Sequence, residues 1–154
     1  MTQPDSLPQD MCLVTLRGRV VRGKRLGSRL GFPTANIAYD PQSRAWPREG
    51  VYAGVAWVDG EARGYVSILN QGRHPTAPEG MPTVEAHLLG HAHGDLYGRE
   101  LTLAYCLFLR PEQAFPSLEA LRAQLDRDRE SAVAWARRSA PALLDSLNPP
   151  PHQA

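Results

Sequence analysis

The 154-residue sequence predicts a mainly β fold: a closed antiparallel barrel or sandwich of six strands with one helix laid over its outside. Three observations predict it. Six runs of strand-like residues follow one another at short spacing. Fourteen prolines and thirteen glycines supply turns in a number that suits such a fold better than a helical bundle. Sustained helical periodicity occurs in one stretch, after the last strand.

Residues 1–11 are polar and broken by proline, and read as a disordered lead. Leu13 to Arg22 alternate as a strand that ends in the glycine-rich run GKRLGSRLG. FPTANI is short and extended. Val51 to Val58 form a strong strand, and Asp59-Gly60 turns it back into Arg63 to Leu69. A loop with three prolines leads to Thr83–Leu89, and a glycine- and histidine-rich turn leads to the longest strand, Glu100–Arg110. In that strand Leu101, Leu103, Tyr105, Leu107 and Leu109 are expected on one face, with Thr102, Ala104, Cys106 and Phe108 on the other. Both faces are partly apolar, so the outside of the sheet needs a cover.

The cover is a helix from Leu118 to Arg138, with Ser117 as its N-cap. Leu118, Leu121, Leu125, Ala132 and Trp135 make one apolar stripe, and Asp128 falls in line with it. Asp128 either sits at the stripe's edge and reaches water, or turns inward to a ligand or a basic partner. Pattern alone leaves both open, although an unpaired buried carboxylate would be costly. The folded domain is thus expected over residues 12–138. Residues 139–154 form a mostly irregular tail in which Leu143 and Leu144 dock one extra turn.

Composition narrows the function. Formal net charge is +1, from 17 basic and 16 acidic residues, which argues against nucleic acid or a membrane surface as the main partner. Cys12 and Cys106 have no zinc spacing and are too few for a disulfide framework, so they read as reduced structural thiols. No leader pattern and no bilayer-length apolar run is present, which makes the cytoplasm the default compartment. No large apolar stripe remains once the helix docks, so a monomer is expected.

Four segments could carry chemistry. Gly23 to Asn36 place glycines 23, 27 and 31 among Lys24, Arg25 and Arg29, suited to cradling phosphates with backbone N–H groups. It has neither Walker nor Rossmann spacing, and such a motif taken alone is more often just a turn. In Pro33-Thr34-Ala35-Asn36, Thr34 and Asn36 share one side of an extended chain. That hydroxyl and amide oxygen suit magnesium, or simply a hydrogen-bonded turn. Glu85 lies within a strand, with His87 and Leu89 on its face; it is either a general base or an edge charge that blocks aggregation. His87, His91 and His93 invite a metal reading, but glycines interrupt them and no carboxylate or thiolate completes a shell.

The strings GRVVRG, LGFPTAN, GVYAGVAWV, VEAHLL, DLYG and FLRPEQAFPSLEAL follow in one order, and together they resemble the riboflavin kinase family, including the kinase half of bacterial bifunctional FAD synthetases. The resemblance covers Leu13 to Arg138; PTAN in this setting is highly specific, and so is a strand E-x-H followed by D-x-Y-G and an L-R-P-E-x-x-F segment. It implies a six-stranded antiparallel Greek-key barrel with a C-terminal α-helix packed on it. The implied activity is transfer of the γ-phosphate of ATP to riboflavin, giving FMN, with Mg2+ as the metal. The implied roles are Glu85 as the base for the ribityl 5′-hydroxyl, and Thr34 and Asn36 as the magnesium and phosphate pair. Gly23, Arg29, Gly31, Leu88, Gly90 and Tyr97 fall at the nucleotide, and Arg110, Gln113, Phe115 and Asp128 at the flavin. Three places depart from the pattern. Ser28 stands where a basic residue is common, with Arg29 one step later. Gly90-His91 replaces an aspartate–aromatic pair, and Gln113 stands where lysine is sometimes found. The family's adenylyltransferase half has no room before Leu13: a complete chain is expected to stop at FMN and not make FAD, and the alternative is a fragment of a longer enzyme. The competing classes are a non-catalytic flavin- or nucleotide-binding regulatory module, an oligonucleotide-binding barrel and a flavin reductase.

Overall fold

The structure is a computed structural model that describes residues 14–22, 34–39, 48–72, 83–91 and 96–147. Six strands are present: β1 Val14–Val21, β2 Ala35–Ala38, β3 Gly50–Val58, β4 Gly64–Gln71, β5 Thr83–Leu88 and β6 Glu100–Arg110. They close a barrel in the order β1-β2-β5-β4-β3-β6, and every pair is antiparallel. β3, β4 and β5 form a meander, and β6 returns beside β3, which is the Greek-key arrangement. Gly60, at φ +91°, takes the turn between β3 and β4 that Asp59-Gly60 predicts.

After β6 comes α1, Leu118–Ser139, and then a short 3-10 helix over Pro141–Leu147. Ser117 caps α1 as expected: its hydroxyl accepts from the Ala120 N–H at 3.1 Å. Leu143 is buried against the barrel's outer wall, the extra docked turn foreseen for the tail.

Alternation divides the apolar residues into two cores. Inside the barrel lie Leu16, Val20, Ile37, Leu69, Val84, Leu101 and Leu103. Between the barrel and α1 lie Val51, Val55, Val66 and Ala104 against Ala132, Trp135 and Ala136. This is why the strands are apolar on both faces: the helix makes the outer face a second interior. The barrel's lumen also holds a polar chain. Gln71 donates from Nε2 to the Tyr39 hydroxyl at 2.7 Å, and the Tyr105 hydroxyl donates to Gln71 Oε1 at 3.0 Å. Tyr52 stacks edge-on against Tyr105 and Phe108, with centroids 5.2 Å away in each case.

One expectation about β6 needs correction. Its register against β3 shifts twice, between Ala53 and Gly54 and between Val51 and Tyr52, so β6 carries two extra residues. The first shift reverses the alternation beyond Tyr105. Phe108 packs on the inner core, Leu107 is exposed, and Leu109 joins the outer cluster. The second shift restores Arg110 to the outer face, opposite Val51. Gly54 lets β6 approach closely at the first shift, since a Cβ there would lie 2.0 Å from the Ala104 carbonyl oxygen.

Candidate active site

The register places five residues in one row across the barrel's outer wall. Asn36 on β2 faces Glu85 on β5, Glu85 faces Asn70 on β4, Asn70 faces Val51 on β3, and Val51 faces Arg110 on β6. Residues directly paired across strands share a face, and adjacent strands lie about 4.8 Å apart. α1 passes over this row. Beneath it is a cavity of about 260 Å³, lined from the sheet by Thr34, Ile68, Asn70, Glu85, His87 and Arg110. The segment after β6 contributes Glu112, Gln113 and Phe115, and α1 contributes Leu121, Leu125 and Asp128.

Asp128, although in line with the apolar stripe, turns inward. It is 2% exposed and grips the Arg110 guanidinium with both oxygens, at 2.9 Å from Nε and 2.8 Å from Nη2. Gln124 Nε2 donates a third hydrogen bond at 2.9 Å. A bidentate pair of this kind fixes the plane of the guanidinium. Its face lies 5.7 Å from the Phe115 ring centroid. The pair ties α1 to β6 at the cavity's wall.

Glu85 is one of three acidic residues lining the cavity, with Glu112 and Asp128. Burial pushes its carboxyl above the ordinary value; the nearby Thr34 hydroxyl works the other way, and the charge of Glu112 adds repulsion. Although the Thr34 hydroxyl stands close enough to favour the ionised form, it makes no hydrogen bond of good geometry, and its Oγ1 is buried without a partner. Asn70 Oδ1 is in the same condition. A buried oxygen of this kind costs roughly 1–3 kcal/mol unless something bonds to it. The cavity therefore holds a desolvated carboxylate, two unsatisfied oxygens and an oriented cation.

Of the residues singled out by sequence for chemistry, the cavity gathers Thr34, Glu85, His87, Arg110, Gln113, Phe115 and Asp128. Asn36 stands beside Glu85 in the sheet. Leu88 packs into the barrel core instead. Gly90 takes the turn after β5 at φ +78°, and Tyr97 is 48% exposed under the Arg22 guanidinium, whose Cζ lies 4.4 Å from the ring centroid. Gly23, Arg29 and Gly31 lie outside the described residues. Among the described residues no three His, Cys, Asp or Glu side chains come together as a metal site. His91 packs on Tyr65 and lies 3.4 Å from Glu61, while His93 lies outside the described residues. Sequence reasoning missed Asn70 and Glu112. The signal for Glu112 was its place in the RPEQ run just after Arg110. For Asn70 there was none without the strand pairing.

A filled barrel with a carboxylate-bearing pocket on its outer wall, lined by a clamped arginine, buried oxygens without partners and apolar side chains, has the make-up of a small-molecule binding site. Comparison with known proteins gives the particulars. The sequence profile of riboflavin kinase, or flavokinase, matches residues 12–136. The chain belongs to the riboflavin kinase family. It is 41% identical over 126 residues to the bifunctional riboflavin kinase/FMN adenylyltransferase of Pseudomonas fluorescens, covering 81% of this chain and 39% of that protein. Among solved structures, riboflavin kinase from Trypanosoma brucei superposes with a TM-score of 0.59 at 26% identity, covering 87% of this chain and 82% of that one. A macrolide-efflux protein from Streptococcus pneumoniae superposes at 0.67 and 25% identity, covering 79% and 38%. The chain spans about two fifths of the length of the bifunctional relatives it matches. No helix among the described residues is long and apolar enough to cross a membrane.

Proposed function

We propose that the chain transfers the γ-phosphate of ATP to the ribityl 5′-hydroxyl of riboflavin, giving FMN and ADP, in the cavity beneath α1. The observation that carries this reading is the position of Glu85. Its carboxylate lines the cavity, faces Asn36 across the sheet and lies beside Thr34. A carboxylate packed into the barrel or on its far wall would have ended the reading.

Glu85 accepts the proton of the 5′-hydroxyl as that oxygen bonds to the γ-phosphorus; the bond from the phosphorus to the bridging oxygen breaks, and ADP leaves. A carboxyl raised by burial is better matched to this proton than an ordinary one. The transition state is loose and highly charged, so positioning does much of the work. Thr34 and Asn36 present neutral oxygens, the Thr34 Oγ1 buried and without a bond, and this donor set fits Mg2+. When bound, the ion neutralises charge on the phosphates. Val51, Ile68, Leu121, Leu125 and Phe115 offer the isoalloxazine an apolar slot, and Arg110, Gln113 and Asp128 mark its polar edge. Gly23, Arg29, Gly31, Gly90 and Tyr97 remain the nucleotide residues by resemblance, and Leu88 can serve only through its backbone. The setting that supplies ATP is the cytoplasm.

Incubation with riboflavin, ATP and magnesium, followed by chromatography, tests the reaction: FMN is expected, and its absence defeats the proposal. Asn36→Ala is expected to weaken magnesium-dependent ATP binding in calorimetry. Unchanged affinity removes Asn36 from the metal's shell.

A further inference from the structure

We propose that Asn70 recognises the sugar alcohol of the flavin: its amide oxygen accepts a hydrogen bond from a ribityl hydroxyl lying inward of the one that is phosphorylated. The inference rests on the riboflavin kinase reading of the cavity and assigns that site a residue which the motifs do not.

Three observations support it. Asn70 lines the cavity. Among the described residues three buried side-chain polar atoms lack a hydrogen-bond partner, and two of them, Thr34 Oγ1 and Asn70 Oδ1, belong to residues of this cavity. Buried acceptors are seldom left in that state unless something outside the chain supplies the donor. The third observation is the position of Asn70 in the row. Asn36 stands on β2 with Thr34 just before it, Glu85 on β5, Asn70 on β4, Val51 on β3 and Arg110 on β6.

A ribityl chain with its terminal hydroxyl at Glu85 and its ring toward Arg110 and Phe115 must cross β4. That crossing lies one strand spacing, about 4.8 Å, beyond the reacting oxygen, roughly the distance to an inner hydroxyl of an extended polyol. Phosphate oxygens are acceptors and would leave Asn70 unsatisfied. The ring's N–H belongs farther along, past Val51. The polyol hydroxyl is the donor that fits both the chemistry and the distance.

The test pairs a variant with a substrate analogue. Asn70→Leu and Asn70→Ser are assayed with riboflavin and with a flavin carrying a 5-hydroxypentyl chain, which keeps the reacting hydroxyl and lacks the inner ones. With riboflavin, Asn70→Leu is expected to lower kcat/KM on the order of tenfold, the effect of one neutral hydrogen bond. With the analogue the loss should be under about twofold, since the bond is already missing. Asn70→Ser should fall between on riboflavin, and it carries the same comparison should Asn70→Leu not fold. Equal losses on both substrates mean a structural role and overturn the proposal, as does an unimpaired variant on riboflavin. A wild type that makes no FMN sinks the kinase reading and this proposal together; a wild type that makes FMN with no such coupling sinks this proposal alone.

Discussion

Among the described residues, two buried polar clusters lie on opposite sides of the same barrel wall, and they are finished differently. In the lumen, Gln71 hydrogen-bonds both Tyr39 and Tyr105. On the outer wall, Thr34 and Asn70 keep oxygens without partners, and Glu85 is a carboxylate held out of water. Gln71 and Asn70 are neighbours in β4, and their side chains point to opposite faces. The contrast separates two uses of buried polarity. A network satisfied from within gives the fold a unique arrangement. One left unsatisfied waits for a ligand, and the fold carries its cost until the ligand arrives.

Substitutions in the two clusters should have different consequences. The largest effect is expected from Glu85→Gln, which should lower turnover about 10²–10⁴-fold, the usual worth of a general base, while calorimetry shows ATP still binding. Near-normal FMN formation would remove Glu85 as the base. Next comes Asp128→Ala, which leaves the Arg110 guanidinium buried at 15% exposure without its counter-charge. Urea unfolding should report a loss of about 3–5 kcal/mol. A smaller loss means that water satisfies Arg110 and that the pair is less of a tie than its geometry implies. In the lumen, Gln71→Leu should cost about 1–3 kcal/mol of stability and leave kcat unchanged. A kcat that falls with it would erase the distinction between the two clusters.

The smallest effect is thermodynamic. Glu85 in the folded chain holds its proton more tightly than its ordinary value of 4.5. Below that value both states are protonated and nothing is at stake. As pH rises through and past it, the unfolded chain ionises first and stability is lost. Glu85→Gln should therefore melt higher than the wild type near neutral pH, and the gap should close in acid. A gap that widens toward acid means that the folded carboxylate is stabilised, not desolvated.

Most of the fold was legible in the sequence because period-2 alternation, glycine turns and one capped helical stripe are local signals. The reversal at Leu107 and Phe108 was not. It arises from a pairing shift against β3, and no property of β6 alone reports how its partner aligns. The site divides the same way. Thr34, Asn36 and Glu85 sit in strings specific enough to be recognised as a set. Asp128 could be seen as an oddity in the stripe, but its partner Arg110 lies 18 residues away in sequence and needed the fold to appear. Asn70 ends the ordinary strand run SILN and acquires meaning only when the register sets it beside Glu85.

α1 is held unequally along its length. Ala132, Trp135 and Ala136 are buried against the barrel, whereas Leu118 is 57% exposed and Leu121 and Leu125 roof a hollow. Amide protons in its first turns should therefore exchange through local fraying, while those of β3 and β6 wait for global unfolding. On the proposed reading, a flavin would enter under the loose end while the barrel stays shut. Affinity and residence time can then drift over generations through changes in a few roof positions, with the scaffold's melting point left nearly untouched.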